Sequence, residues 1–300
     1  MSTASAARSI GVRTSIVRRR PPLLRHLLAG LRAVAALVLA AAFLAPFAWS
    51  VLSSLKAGHE IFTFPPSWLP EVARWGNYPA VWRQVPFGRF AANTTIVTAV
   101  AVLGEVVSST LVAYGFARFR FPGRGVLFTA VVATLVLPGE ITLIPRFIMF
   151  KALGWLDTFL PLTVPFYFGS AFFIFLMRQF FLSLPIELDE AAELDGANGF
   201  QTLTSVLVPL MKPALATVAI FSFLSHWNEF LNPLIFLRST EKFTLALGLR
   251  FFQQAAETGG EPREPYLMAA SLMVTLPCIV LFFSAQRYFV RGVVMSGMKY

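Results

Sequence analysis

Glu190-Ala191-Ala192-Glu193-Leu194-Asp195-Gly196, continuing through Ala197-Asn198-Gly199 to Pro209, is an acidic, water-seeking insert between apolar segments of membrane length. The chain around it is 56% hydrophobic and 13% charged, with 31 Phe, far oilier than a soluble domain of 300 residues requires. A polar insert in such a chain belongs outside the bilayer, where a partner can read it.

A hydrocarbon core of about 30 Å takes roughly 20 apolar residues in helix, because unpaired backbone groups are not left in lipid. Six segments qualify: Ala33 to Leu55, Phe90 to Ala117, Gly125 to Pro145, Thr158 to Met177, Ala214 to Leu237 and Leu267 to Ala285. The third contains Glu140. An acid at mid-helix costs about 2.5 to 3.5 kcal/mol, and each Leu, Ile, Phe or Val returns about 0.3 to 0.6. Phe128, Val131, Val132, Leu135, Val136, Leu137, Ile141, Leu143 and Ile144 bring the sum close to favourable, so the segment is kept as a span. The expected fold is an all-α membrane protein, a polytopic bundle of six transmembrane helices. Residues 1–30 form an N-terminal arm, 31–292 the transmembrane domain and 293–300 a tail.

A formal net charge of +10 would indicate nucleic acid in a soluble protein. Here Arg18, Arg19, Arg20 and Arg25 precede an apolar stretch, where they orient a membrane protein and meet anionic lipid, so no nucleic-acid partner is expected. With six spans, that arm, the Arg118/Arg120/Arg124 loop and the Arg287/Arg291/Lys299 tail share one side. That side is expected to be cytoplasmic, with both termini inside. A cleaved signal peptide is the competing reading of the first span, but its apolar core is too long and leads into further spans. The single cysteine, Cys278, excludes an internal disulfide. Outside, Glu60 to Phe87 is Pro-rich, and its Trp68, Trp75, Tyr78 and Trp82 suit the interface. Trp155 to Asp157 make a short outer turn, and Arg238 to Tyr266, with Gly259-Gly260, a longer outer loop.

The insert has helical logic. Pro185 fits a first turn, Glu187, Asp189 and Glu190 complement the positive end of the macrodipole, and Gly196 or Gly199 can stop the helix. Leu188, Ala191 and Ala192 share one face, where small alanines admit another backbone, while Glu190 and Glu193 offer carboxylates to a basic partner. On composition alone, a solvated connector between two spans is the simpler reading.

Glu190-Ala191-Ala192, Gly196 after three more residues, and Pro209 at the end resemble the EAA loop of ABC importer permeases. The family pattern closes on Ile-x-Leu-Pro after nine residues; this chain has Val206-Leu207-Val208-Pro209, two aliphatic replacements that preserve the chemistry. Beyond the loop, Ser54-Leu55-Lys56, Pro65-Pro66-Ser67-Trp68, Asn77-Tyr78, Arg178-Gln179-Phe180-Phe181, Trp227-Asn228-Glu229-Phe230 and Gln286-Arg287-Tyr288-Phe289-Val290-Arg291-Gly292 look like the maltose-type carbohydrate permeases. The resemblance covers nearly the whole chain from the first span onward. It implies that Glu190, Ala191, Ala192 and Gly196 couple the chain to a cytoplasmic ATPase dimer. It also implies a second permease subunit, an extracytoplasmic solute-binding protein and a sugar substrate in a bacterial or archaeal cell membrane. Glycerol 3-phosphate and related polyol phosphates use similar permeases and are the alternative substrates.

No cofactor, metal or catalytic residue is expected. There is no Walker A sequence and no His-Glu-x-x-His, and Gly169-Ser170-Ala171 lacks the flanking pattern of a serine nucleophile. An ion-coupled secondary transporter is the rival class, disfavoured by the lack of a visible inverted repeat and by the acidic insert. On the fifth span Ser222, His226 and Glu229 recur at intervals of four and three, on one helical face that Asn228 and Asn232 widen. Such a stripe either lines the pathway, where it suits sugar hydroxyls, or hydrogen-bonds across a helix interface. Glu105 and Glu140 have the same two readings, and Pro138-Gly139 can interrupt the helix beside Glu140. Glu140, Ser222, His226, Asn228 and Glu229 are the candidate path residues.

Overall fold

Long apolar runs become helices that satisfy their own backbone, and the computed structural model, which describes residues 22–257 and 263–297, contains no strand among them. Arg18 to Arg20, Gly259-Gly260 and Lys299 lie outside the described residues. The chain divides into two compact units, Met1–Trp49 and Ser50–Tyr300. The principal helices are α1 (Pro22–Ser54), α2 (Phe87–Arg118), α3 (Arg124–Ala133), α4 (Leu143–Ala152), α5 (Ala171–Ser183), α6 (Glu187–Leu194), α7 (Lys212–Trp227), α8 (Leu231–Phe236) and α9 (Glu264–Gly297).

Among the described residues, four stretches are long and apolar enough to cross a membrane: Ala29–Ser54, Phe87–Arg118, Val164–Ser183 and Glu264–Gln286. Two more do so only as bent pairs, Arg124–Val136 with Gly139–Ala152 at 96° and Gly199–Leu210 with Lys212–Trp227 at 83°. Counting each bent pair as one span gives the expected six. Large apolar side chains such as Leu103, Val126, Val280 and Phe283 remain exposed, as hydrocarbon-facing residues do.

Three expected spans are corrected in detail. Gly125 to Pro145 breaks at Leu137-Pro138, because Pro138 has no N–H and pushes Leu137 into an extended conformation. In the stretch Thr158 to Met177, Pro161 and Pro165 sit in tight 3₁₀ turns at Leu160–Leu162 and Val164–Phe168; the α-helix starts at Ala171 and runs on to Ser183. The stretch Ala214 to Leu237 is two helices. α7 stops at Trp227, the Asn228 amide donates back to Leu224 O (2.8 Å), and Glu229 Oε1 accepts from Asn232 N (3.1 Å) at the start of α8.

Within the second unit α2 is the central element, packed against α5 and α7 through Tyr114, Phe173, Met177, Phe181 and Val218. The 3₁₀ turn before α5 also lies on α2. A Cβ at Gly104 would come within 2.4 Å of the Tyr167 ring, so only glycine allows that approach.

The connecting segments gather in two groups. In one, Asp157, with φ at 57°, accepts from the N–H groups of Arg238 (3.0 Å) and Ser239 (2.9 Å), from the Ser239 hydroxyl, and from Lys242 Nζ (3.2 Å). The Ser239 hydroxyl and these N–H groups hold the Asp157 carboxyl below the ordinary carboxylate range. The amide of Asn93 on α2 donates to Glu241 O (2.8 Å) and Phe243 O (3.0 Å). Residues 54–78 fold as one unit: Asn77 Nδ2 donates to Ser54 O (2.8 Å) and Lys56 O (3.0 Å), Lys56 Nζ donates to Ser67 O, and the Ser54 and Tyr78 hydroxyls are 3.0 Å apart. The separate motifs Ser54-Leu55-Lys56, Pro65 to Trp68 and Asn77-Tyr78 are therefore parts of one folded loop. Trp68 and Trp75 are exposed on it, and Trp82 on the short helix Asn77–Gln84 that follows.

Candidate functional site

In the second group lies the acidic insert. Glu187, Asp189 and Glu190 occupy the first turn of α6, where the helix dipole favours negative charge. Gly196, at φ +80°, ends the helix: its N–H bonds to Glu193 O (2.9 Å) and the N–H of Ala197 to Ala192 O (2.9 Å), the paired bonds of a Schellman motif. Asn198 then opens the turn Gly199–Gln201 with a capping box. Its side chain accepts from Gln201 N (2.9 Å) while the Gln201 side chain accepts from Asn198 N (2.8 Å). A π-helical stretch, Thr202–Leu207, leads to Pro209 and the bend before α7.

The face expected to unite Leu188, Ala191 and Ala192 is split. Leu188 packs into the core formed with α2, α5 and α7 and Ala192 is buried, whereas Ala191 turns outward with Glu190 and Glu193. Beside them Leu194 is 89% exposed and Phe200 66%. The outward surface of the insert is thus small, acidic and apolar, and its inward surface is welded to the chain's own bundle.

α2 grips this insert at both ends. Arg118 Nη2 lies 3.1 Å from Asp189 Oδ2 and donates to Leu184 O (3.1 Å) and Pro185 O (3.5 Å). One turn back, the Tyr114 hydroxyl donates to Gly199 O (3.0 Å). Sequence reasoning used Arg118 only as a topology-setting charge. The signal that would have revealed the grip is the i, i+4 spacing of Tyr114 and Arg118 at the end of a span facing an acidic insert.

A second polar assembly sits inside the span. The buried carboxyl of Glu105 on α2 accepts from the Ser222 hydroxyl (2.6 Å) and lies 3.0 Å from His226 Nε2, both on α7. The His226 ring meets Phe166 edge to face at 4.2 Å. Ser108 donates to Phe166 O (3.0 Å), and the Ser109 hydroxyl accepts from Ser170 N (3.3 Å), so the same face of α2 also holds the turn before α5.

Of the five candidate path residues the structure brings Ser222 and His226 together, on Glu105. Asn228 and Glu229 serve the helix ends described above. Glu140 stands exposed in the 3₁₀ turn Gly139–Thr142 at the break between α3 and α4, where Arg146 Nη2 donates to Gly139 O (3.4 Å). Among the described residues, His59, Glu60 and Glu71 bring ligand atoms within 4.8 Å of one another. The Glu60 oxygens, however, accept from the N–H groups of Ala57 and Glu71, both at 3.1 Å, which makes that set a loop cap.

A family model described as "Binding-protein-dependent transport system inner membrane component" matches residues 106–295. The chain is 32% identical over 261 residues to the sn-glycerol-3-phosphate transport system permease protein UgpE of Pectobacterium atrosepticum, covering 85% of this chain and 92% of that protein. It is also 32% identical over 253 residues to the diacetylchitobiose uptake system permease protein NgcG of Streptomyces coelicolor, covering 84% of this chain and 82% of that one. Among solved structures, a chain of a bacterial ABC transporter involved in import of the acidic polysaccharide alginate superposes with a TM-score of 0.77 at 27% identity, covering 88% of this chain and 97% of that chain. With its spans interrupted by an acidic insert and the family model reaching from the middle of α2 to the end of α9, the chain belongs to the binding-protein-dependent transport system inner membrane components, the permease subunits of ABC importers.

Proposed function

We propose that this chain is one of two permease subunits lining the path of an ATP-driven carbohydrate importer. In this reading α6 docks on a separate cytoplasmic ATPase dimer, and an extracytoplasmic solute-binding protein delivers the sugar. The observation that carries it is the insert itself, a capped helix that turns Glu190, Ala191 and Glu193 outward while α2 anchors its other face. Glu190 offers a carboxylate to a basic group, and Leu194 and Phe200 supply apolar contact.

Glycerol 3-phosphate, diacetylchitobiose and alginate, named for the relatives and the solved transporter, all present hydroxyl groups, which supports a sugar or polyol as solute. Glu140, Asn228 and Glu229 are assigned to the hydrophilic path. A bent span with an exposed acid and loosened backbone is tolerated at membrane depth only against protein or a water-filled cavity, so the α3–α4 break is assigned to the second permease and the path between the two. Ser222 and His226 are assigned to the interface between α2 and α7.

Vesicles holding this chain, its partner permease and the ATPase should take up a sugar or oligosaccharide when ATP and the binding protein are supplied. Preference for glycerol 3-phosphate would move the assignment to the polyol-phosphate class. Uptake by this chain alone, driven by an ion gradient, would overturn the importer reading.

Both termini are assigned to the cytoplasmic side. In a Cys278→Ser background, an impermeant thiol reagent applied to intact cells should label a cysteine introduced at Gly76 and leave one at Asn198 unlabelled. Gly260, an alternative position on the expected outer side, lies outside the described residues. The reverse pattern, or labelling at both positions, defeats this topology.

A further inference from the structure

We propose that Arg118 is a positioning residue of the transport cycle, whose ion pair with Asp189 makes α2 the element that moves with the acidic insert. This rests on the reading of α6 as the ATPase contact and goes beyond it, because the flanking spans are the obvious carriers of any movement.

The two covalent routes out of the insert are both interrupted. On the N-terminal side α5 stops at Ser183, and Leu184 is extended (φ −83°, ψ 137°) before Pro185. On the C-terminal side the π-helical stretch Thr202–Leu207, Pro209 with no N–H to donate, and the 83° bend all precede α7. Breaks in the helical hydrogen-bond ladder are where helices yield.

The non-covalent route is continuous. α2 is one helix of 32 residues, which at 1.5 Å per residue is roughly 48 Å long. Its last residue, Arg118, holds Asp189 of α6 and the carbonyls of Leu184 and Pro185, and Tyr114 holds Gly199 beyond it. The Arg118 and Asp189 side chains are only 7% and 17% exposed, so they are shielded from the water that makes surface ion pairs weak.

About 20 Å further along the same helix, Glu105 binds Ser222 and His226 of α7. A displacement of α6 therefore reaches α7 through two polar contacts joined by an unbroken rod. A fold-holding staple would also place Arg118 and Asp189 together, and the two roles differ in what they do to the yield of transport per ATP.

The test uses the complete transporter, both permeases with ATPase and binding protein, reconstituted in vesicles. Solute carried per ATP hydrolysed and co-purification of the ATPase are both read. Arg118→Gln and Asp189→Asn should each lower uptake per ATP by at least about fivefold while the ATPase stays bound. The double variant should be no worse than the more damaging single one, since the two groups act as a unit, and Arg118→Lys should be intermediate. An unchanged yield in either single variant, or losses that multiply in the double one, overturns the proposal. Should Arg118→Gln fail to insert, Asp189→Asn decides alone, because it keeps the side-chain shape and removes only the charge. Normal ATPase binding in Glu190→Ala would remove the docking reading beneath this proposal. Normal yield in Asp189→Asn with the ATPase bound removes the proposal alone.

Discussion

Gly196→Val should lower ATP-coupled uptake by at least about fivefold while the protein still reaches the membrane, and Gly196→Asn should retain most of it. At φ +80° the backbone of Gly196 is left-handed, and no heavy atom outside its own neighbourhood lies within 4 Å of where a Cβ would stand. A side chain there would not wedge the two short helices apart. The whole penalty is conformational, about 1 to 2 kcal/mol for an ordinary L-residue and more for a β-branched one. That is a factor of roughly five to thirty in the population of the capped insert. Without the cap, the bonds from the N–H groups of Gly196 and Ala197 are lost, and the Asn198 capping box no longer starts from a fixed position. Asparagine tolerates the left-handed region and should keep the cap. Gly196→Asp should fall between the two, since a carboxylate at the negative end of α6 adds repulsion to a backbone it can adopt. The measurements are uptake in vesicles, ATPase co-purification and the amount of chain in the membrane. Uptake by the valine variant at the level of the unaltered protein would show that the position of the insert is set by something other than this cap.

The insert was readable from sequence because its signals are local: charge at one helix end, glycine at the other, and polarity against oil. Span existence was readable for the same reason, and span integrity only at Pro138-Gly139. Composition can weigh the cost of Glu140 against its apolar neighbours and Pro138-Gly139 marks the interruption beside it, yet neither gives the 96° bend there or shows that Asn228 and Glu229 cap two different helices. Ser222 and His226 were found by their spacing, and their partner was not. Glu105 lies 117 residues from Ser222 in the chain, and no periodicity connects positions on two helices whose packing is unknown. The same holds for Arg118 and Asp189. Four positions mattered more than expected for a shared reason: Gly104, Glu105, Tyr114 and Arg118 all lie on α2, and only the packing shows that α2 is the helix to which the others attach.

The polar assembly around Glu105 should behave as a structural joint between α2 and α7, which gives the second large expected effect. Glu105→Ala leaves the hydroxyl of Ser222, fully buried, and the His226 ring without their acceptor. Each orphaned buried group costs about 1 to 3 kcal/mol in a soluble protein, whereas hydrogen bonds between membrane helices average about 0.6 and reach about 1.7 kcal/mol. The pair is therefore worth on the order of 2 kcal/mol, plus the void left by the side chain. Glu105→Gln should preserve most of this. Its carbonyl oxygen, standing where Oε2 stands, can accept from both the Ser222 hydroxyl and a His226 Nε2–H, so only the charge is removed. In detergent-solubilised transporter, Glu105→Ala should lower the thermal midpoint and the rate of uptake together, with the Gln variant close to the unaltered protein in both. Ser222→Ala combined with Glu105→Ala should lose less than the two single losses summed, because the first substitution already removes the contact that the second would break. A different pattern would mark a path residue: an unchanged thermal midpoint in Glu105→Ala with a raised solute requirement for uptake. That outcome would return Ser222 and His226 to the solute path and leave α2 and α7 held together by apolar packing alone.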